Sequence, residues 1–203
     1  MRSIAEARGT SDPLRVRNIG ADVAVGDWVI ASDDGERVEH VLERRSAFTR
    51  RASFDGMRAV SHTLAANIDV VFLVHAPGSP PSPRRLEREL VLAFDSGAEP
   101  VVVLTKTDLV DDPEPGRAAL AEVALGVPVL LASGKTADGI EAIREYAIGN
   151  RTLTFLGASG VGKSTIVALA LLSILVSIGI NVWPLITGLS VFGLAIGFGS
   201  QTL

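Results

Sequence analysis

The sequence predicts an α/β protein built on a parallel sheet, preceded by a small antiparallel β unit and followed by hydrophobic helices. Three observations carry that prediction. From Asn67 onward, short apolar runs alternate with segments of helical periodicity, the pattern of strands joined by crossover helices. The stretch Thr152 to Thr165 (TLTFLGASGVGKST) passes from an apolar strand through a glycine loop into an apolar helix. Finally, the charges stop early: all 19 basic and 23 acidic residues lie at or before Lys163.

Residues 1 to 20 are polar and carry only a short alternation at Leu14-Arg15-Val16-Arg17. Alternation over Ala21 to Ala31, a turn at Asp33-Asp34-Gly35 and renewed alternation over Val38 to Leu42 predict a small antiparallel unit. Arg44, Arg45, Arg50 and Arg51 cluster around Phe48. Two readings stand side by side: contacts to RNA phosphates with an aromatic stacking platform, or a solvated face.

Ile68 to Val74 is a continuous apolar run and predicts a buried strand. Pro83 to Phe94 has helical periodicity, with Ser82 as its cap. Further strands are expected at Val101 to Leu104, Pro128 to Leu131 and Leu153 to Leu156, with helices at Pro115 to Leu125 and Asp138 to Ala147. In such a sheet, ligands bind beyond the carboxyl ends of the strands.

Those strand ends carry polar motifs. Gly157, Ala158, Ser159, Gly160, Val161, Gly162, Lys163, Ser164 and Thr165 form G-x-x-x-x-G-K-S-T, a phosphate-binding loop. Its glycines let the backbone curl so that N–H groups face phosphate oxygens, and the following helix adds the positive end of its dipole. Lys163 is expected to reach the β- and γ-phosphates and to carry the catalytic role, and Ser164 to bind Mg²⁺. Thr105-Lys106-Thr107-Asp108 follows one strand and Ser133-Gly134-Lys135 another. Asp108 can accept two hydrogen bonds from a guanine's N1–H and N2–H₂, which adenine lacks, so GTP and GDP are the expected nucleotides. Only three of the 19 basic residues are Lys (Lys106, Lys135 and Lys163), and all three fall in these motifs.

The chain has no Cys, which excludes disulfides and cysteine-ligated zinc, and a net charge of −4 argues against nucleic-acid binding over the whole surface. The N-terminus shows no apolar signal region.

These motifs resemble the circularly permuted GTPases of small-ribosomal-subunit maturation, the RsgA (YjeQ) group. The likeness rests on Val25-Gly26-Asp27-Trp28-Val29, Arg44 to Arg50, Ala65-Ala66-Asn67-Ile68-Asp69, Leu104 to Leu109, Ser133 to Thr136 and Gly157 to Thr165. Their order is the specific point, because the guanine motifs precede the phosphate loop. The resemblance implies an OB-like β-barrel, complete or partial, at residues 1–62, and a partial circularly permuted GTPase domain at 63–165. It also implies binding to the small ribosomal subunit or its rRNA through Arg44 to Arg51. Thr105 stands where the family usually has Asn, which predicts weaker guanine binding. After the loop this sequence has no D-x-x-G tetrad, no switch threonine and no zinc domain, so the hydrolysis expected from the family is predicted to be very slow.

Residues 164–203 are uncharged and resemble a fragment of the MscS mechanosensitive channel family, through Gly179-Ile180-Asn181-Val182-Trp183-Pro184 and a glycine-rich ending. That resemblance makes residues 166–203 a hydrophobic, membrane-like tail. Ser164 to Trp183, at about 30 Å of helix, would just cross a lipid bilayer of the inner membrane, with residues 1–163 in the cytoplasm. The alternative is that residues 166–178 form an ordinary phosphate-loop helix. A composite chain follows from the join, either a gene fusion or two sequences joined in assembly or by design. Its competing function is a channel-like membrane protein with a soluble passenger.

Overall fold

In a computed structural model of the chain, residues 2–6, 13–17, 22–51, 61–77 and 83–182 are described. The expected Ser82 cap and the expected tail from Trp183 to Leu203 lie outside them, as do the side chains of Arg50 and Arg51.

The N-terminal part is antiparallel. β1 (Arg2–Glu6) pairs with β2 (Pro13–Arg17), β3 (Val29–Ala31) with β4 (Val38–Val41), and β5 (Ala47–Arg51) with β6 (Ser61–Ala66). The expected β3–β4 unit is present; β1, β5 and β6 carry too little alternation to be read from sequence.

The remainder is the parallel α/β unit. Its strands are β7 (Val70–His75), β8 (Glu99–Leu104), β9 (Val129–Leu131) and β10 (Leu153–Gly157), in the spatial order β10-β7-β8-β9. All three pairings are parallel. Helices α1 (Pro83–Ser96), α2 (Glu114–Ala124), α3 (Ile140–Glu145) and α4 (Lys163–Ser177) supply the crossovers and the last layer.

The pleat of β7 divides the core in two. Val71 and Leu73 join Leu86, Leu90 and Ala93 of α1 and Leu120 of α2 on one face. Val70, Phe72 and Val74 join Ile140 and Ile143 of α3 and Ile166 of α4 on the other. Phe72 is fully buried, stacked on Phe155 at 4.7 Å and edge-on to Tyr146 at 5.6 Å. Burial on both faces explains why these strands read as unbroken apolar runs.

Two helix expectations change. The segment Asp138 to Ala147 holds only the six-residue α3, because Gly139 enters it at φ 74° and the chain beyond tightens. Tyr146, Ala147 and Ile148 donate to carbonyls three residues back, closing turns in place of a regular helix.

The expected membrane-crossing helix is also corrected. α4 has 15 residues, about 22 Å, and stops at a Schellman motif. Gly179 takes φ 83° and donates to Val176, while Ile180 donates to Leu175. Ile166 anchors α4 in the sheet, beside Leu169 and Ala170. Among the described residues no helix is long and apolar enough to cross a membrane, so the ordinary phosphate-loop helix is the alternative that matches α4.

Candidate functional site

β10 ends at Gly157, whose α-carbon lies so close to the Val74 carbonyl that a Cβ would collide with it. The loop therefore leaves the sheet tight against β7 and turns into α4 at Gly162, at φ 101°. Lys163 folds back over the loop: its Nζ donates to the Gly157 carbonyl at 2.9 Å and the Ala158 carbonyl at 2.6 Å. An ammonium has three N–H donors, and this arrangement leaves one for a phosphate oxygen.

The base motifs sit at the ends of the neighbouring strands. After β8, Thr105 is buried and Lys106 takes a left-handed conformation, φ 55°, which starts the 3₁₀ turn Thr107–Leu109. The Thr105 hydroxyl donates to the Val161 carbonyl of the phosphate loop and lies 2.9 Å from the His75 carbonyl. Asp108 accepts a 2.6 Å hydrogen bond at Oδ1 from Ser133 Oγ, while Ser133 Oγ itself accepts from the amides of Lys135 and Thr136 at 3.2 and 3.1 Å. Ser133 thereby fixes the orientation of the carboxylate.

One cavity of about 290 Å³ joins these parts, lined by Thr105, Lys106, Asp108, Leu109, Gly134, Lys135, Gly162, Thr165 and Ile166. Thus residues from three separate motifs, 26 positions apart for Asp108 and Gly134 and 60 for Thr105 and Thr165, face one space. Gly134 runs close against Thr165, since a Cβ on Gly134 would stand 2.7 Å from Thr165 Cγ2. Leu109 closes the Leu104 to Leu109 motif and supplies an apolar wall; Ile166, the other apolar wall, belongs to no motif and was not expected.

Ser159, Gly160 and Ser164 are exposed at the mouth of the loop. Ser164 offers a hard oxygen in the first turn of α4, and no cluster of three His, Cys, Asp or Glu able to hold a metal occurs among the described residues. That donor set fits Mg²⁺ carried in with phosphates and water, since this ion keeps much of its hydration and takes few protein ligands.

The expected RNA patch is corrected in one of its members. Arg44 donates from Nε to Asp27 Oδ1 at 2.7 Å and from Nη2 to Asp27 Oδ2 at 2.8 Å, with Nη1 on Thr63 Oγ1 at 2.8 Å. The Asp27 side chain is fully buried, so this fork is a structural clamp. Burial alone would raise the Asp27 carboxyl; hydrogen bonds from Arg44 and the Ala24 amide outweigh it and hold the group below its ordinary value. Phe48 is half-buried and packs against the α1 and α2 core. Arg45 remains exposed, 3.4 Å from Asp69.

The sequence also hid a junction. Asn67, at φ 56°, donates from Nδ2 to the Gly26 carbonyl and accepts from the Arg45 amide at Oδ1, both at 2.9 Å. Ser46 Oγ donates to the Ile68 carbonyl at 2.6 Å, and Asp69 accepts from the Thr152 amide at the head of β10. The V-G-D-W, R-R-S and A-A-N-I-D motifs are therefore one device that seats the β unit on the sheet.

Four parallel strands, a glycine loop of P-loop sequence after the last and the Thr105 and Ser133 loops after the two before it define a permuted P-loop GTPase-type fold. A family model described as RsgA GTPase matches residues 41–178, and the chain belongs to that family. The match runs through α4, beyond the boundary at residue 165 expected from sequence. Among curated relatives, the small ribosomal subunit biogenesis GTPase RsgA 2 of Lactiplantibacillus plantarum is 40% identical over 147 residues, 71% of this chain and 41% of its own. The small ribosomal subunit biogenesis GTPase RsgA of Methanosarcina acetivorans is 37% identical over 156 residues, 75% of this chain and 42% of its own. This chain thus spans about two fifths of the length of these relatives. The crystal structure of YjeQ from Thermotoga maritima superimposes with a TM-score of 0.63 at 28% identity, covering 83% of this chain and 60% of that one. YloQ, described as a circularly permuted GTPase, gives 0.56 at 28% identity, covering 81% and 57%.

Proposed function

We propose that this chain binds GTP and GDP in the cavity between the Thr105, Ser133 and Gly157 loops. The observation that carries this is the convergence of those three loops on one space of about 290 Å³. In this role Asp108 accepts from the guanine N1–H and N2–H₂, oriented by Ser133, while Gly134 and Lys135 cover the base. Gly157 to Gly162 wrap the phosphates, Lys163 neutralises the outer ones, and Ser164 holds Mg²⁺ supplied with the nucleotide. Mg²⁺ would supply charge neutralisation at the phosphates.

The names of the relatives support a role in small-subunit biogenesis, which would place the chain's work in the cytoplasm. Titration of GDP, GTP and ADP by calorimetry, with Lys163→Ala in parallel, tests the nucleotide proposal. Guanine nucleotides should bind at least tenfold tighter than ADP, and Lys163→Ala should weaken them by more than tenfold. Equal GDP and ADP affinities would overturn the guanine assignment.

A further inference from the structure

We propose that the outer face of the β3–β4 hairpin is a docking surface for a basic polypeptide segment. In the ladder Ile30 stands opposite His40 and Val29 opposite Val41, and the Leu42 amide donates to the Trp28 carbonyl. Trp28, Ile30, His40 and Leu42 therefore share one face, while Val29 and Val41 share the other. The outer face keeps its apolar groups in water: Trp28 is 64%, Leu42 48% and Ile30 47% exposed. Three large apolar side chains side by side on a short hairpin make a contiguous strip, in contrast to single exposed residues scattered over a surface.

The charge around the strip decides the partner. Asp33, Asp34, Glu36, Glu39 and Glu43 are exposed on this hairpin and its flanks. Of the nearby cations, Arg44 is consumed by Asp27, Thr63 and Asp22, and Arg45 lies 3.4 Å from Asp69, a further carboxylate, which leaves Arg37 to offset the five. A polyanion would meet repulsion here, whereas Lys or Arg side chains would find partners. Beside the strip a hollow of about 420 Å³ is lined by Asp22, Glu39, His40, Val41, Leu42 and Arg44. Glu39 is the extra residue of a β-bulge, because the register passes from Ile30–His40 to Ala31–Val38.

Among the described residues β4 pairs with β3 alone, so its second edge can take the backbone of an added extended segment. An apolar side chain of that segment would lie on Trp28 and Ile30, and a cationic one would enter the hollow toward Asp22 and Glu39. This surface is separate from the nucleotide cavity, and the inference stands whether or not nucleotide binds there.

Trp28 reports on the surface directly, because it is one of two tryptophans and Trp183→Phe leaves it alone. The probes are a dodecapeptide repeating Arg-Leu-Lys-Val, the same peptide with Glu in place of Arg and Lys, and oligouridylate of equal length. The basic peptide should shift Trp28 emission to the blue with an affinity that falls as salt rises. Glu39→Gln combined with Glu43→Gln should weaken it about tenfold while far-UV circular dichroism is unchanged. The acidic peptide and the RNA should leave the emission unaltered. A blue shift on adding RNA, an absent shift with the basic peptide, or unchanged affinity in the double variant would overturn the proposal.

Discussion

The Thr105 hydroxyl donates to the Val161 carbonyl, tying the end of β8 to the middle of the phosphate loop. It also lies 2.9 Å from the His75 carbonyl at the end of β7. One hydroxyl thus stands between two strand ends and the loop. Its single proton goes to the Val161 carbonyl, and its oxygen keeps lone pairs that can still accept.

Thr105→Val keeps the shape and removes the proton. GDP and GTP should both weaken, by about tenfold, with the ratio of guanine to adenine affinity unchanged because Asp108 and Ser133 are untouched. Fluorescent nucleotide titration checks this, and a selective loss of guanine would show that Thr105 acts on the base.

Ser133→Ala should do the reverse. Without the 2.6 Å bond from Ser133, Asp108 loses its fixed orientation, and GDP should weaken roughly tenfold while ADP hardly changes. Competition titrations against one labelled nucleotide give both numbers.

Gly134→Ala places a methyl 2.7 Å from Thr165 Cγ2, so the base loop and α4 must part by a few tenths of an ångström. Nucleotide affinity should fall several-fold, and adding Thr165→Ser, which removes that methyl, should restore most of it. Failure of the second substitution to rescue the first would show that the two loops do not press on each other.

Arg44→Ala leaves a fully buried carboxylate without its partner and should cost about 3 kcal/mol of stability, read from urea unfolding. Asp27 is held below its ordinary value, so its contribution is complete above roughly pH 4 and fades as the pH falls through the lowered value. In the variant, burial is opposed only by the Ala24 amide, so the Asp27 carboxyl moves upward from its value in the parent protein. The stability gap between the two proteins should therefore narrow as the pH drops from neutrality toward about 3. A gap that stays constant would remove Asp27 from the account.

The parallel sheet was legible because both of its faces are covered, which makes β7 and β8 unbroken apolar runs. The loop motifs stood out because they combine fixed residue types at strand ends; the structure puts Lys106 and Lys135 on the cavity wall and folds Lys163 over its own loop. The junction was not legible, since its bonds join Gly26 to Asn67 and Arg44 to Thr63, separations that no local pattern encodes. Arg44 stood open to two readings for the same reason: a cation looks free until its distant partners are known. α4 was ambiguous because an all-round apolar helix suits both a lipid environment and a packed layer. The stop signal at Gly179 was in the sequence, but the lack of charge around it carried more weight.

The central claim is that Asp108 reads guanine in a cavity completed by the phosphate loop. Asp108→Asn tests it most directly, because an amide can donate to the C2 carbonyl of xanthine where a carboxylate accepts from the C2 amine of guanine. The account predicts that this variant loses GDP by about a hundredfold and gains xanthosine diphosphate by a similar factor, with thermal stability kept. Undiminished GDP affinity, or equal loss of both nucleotides in a folded protein, would contradict it.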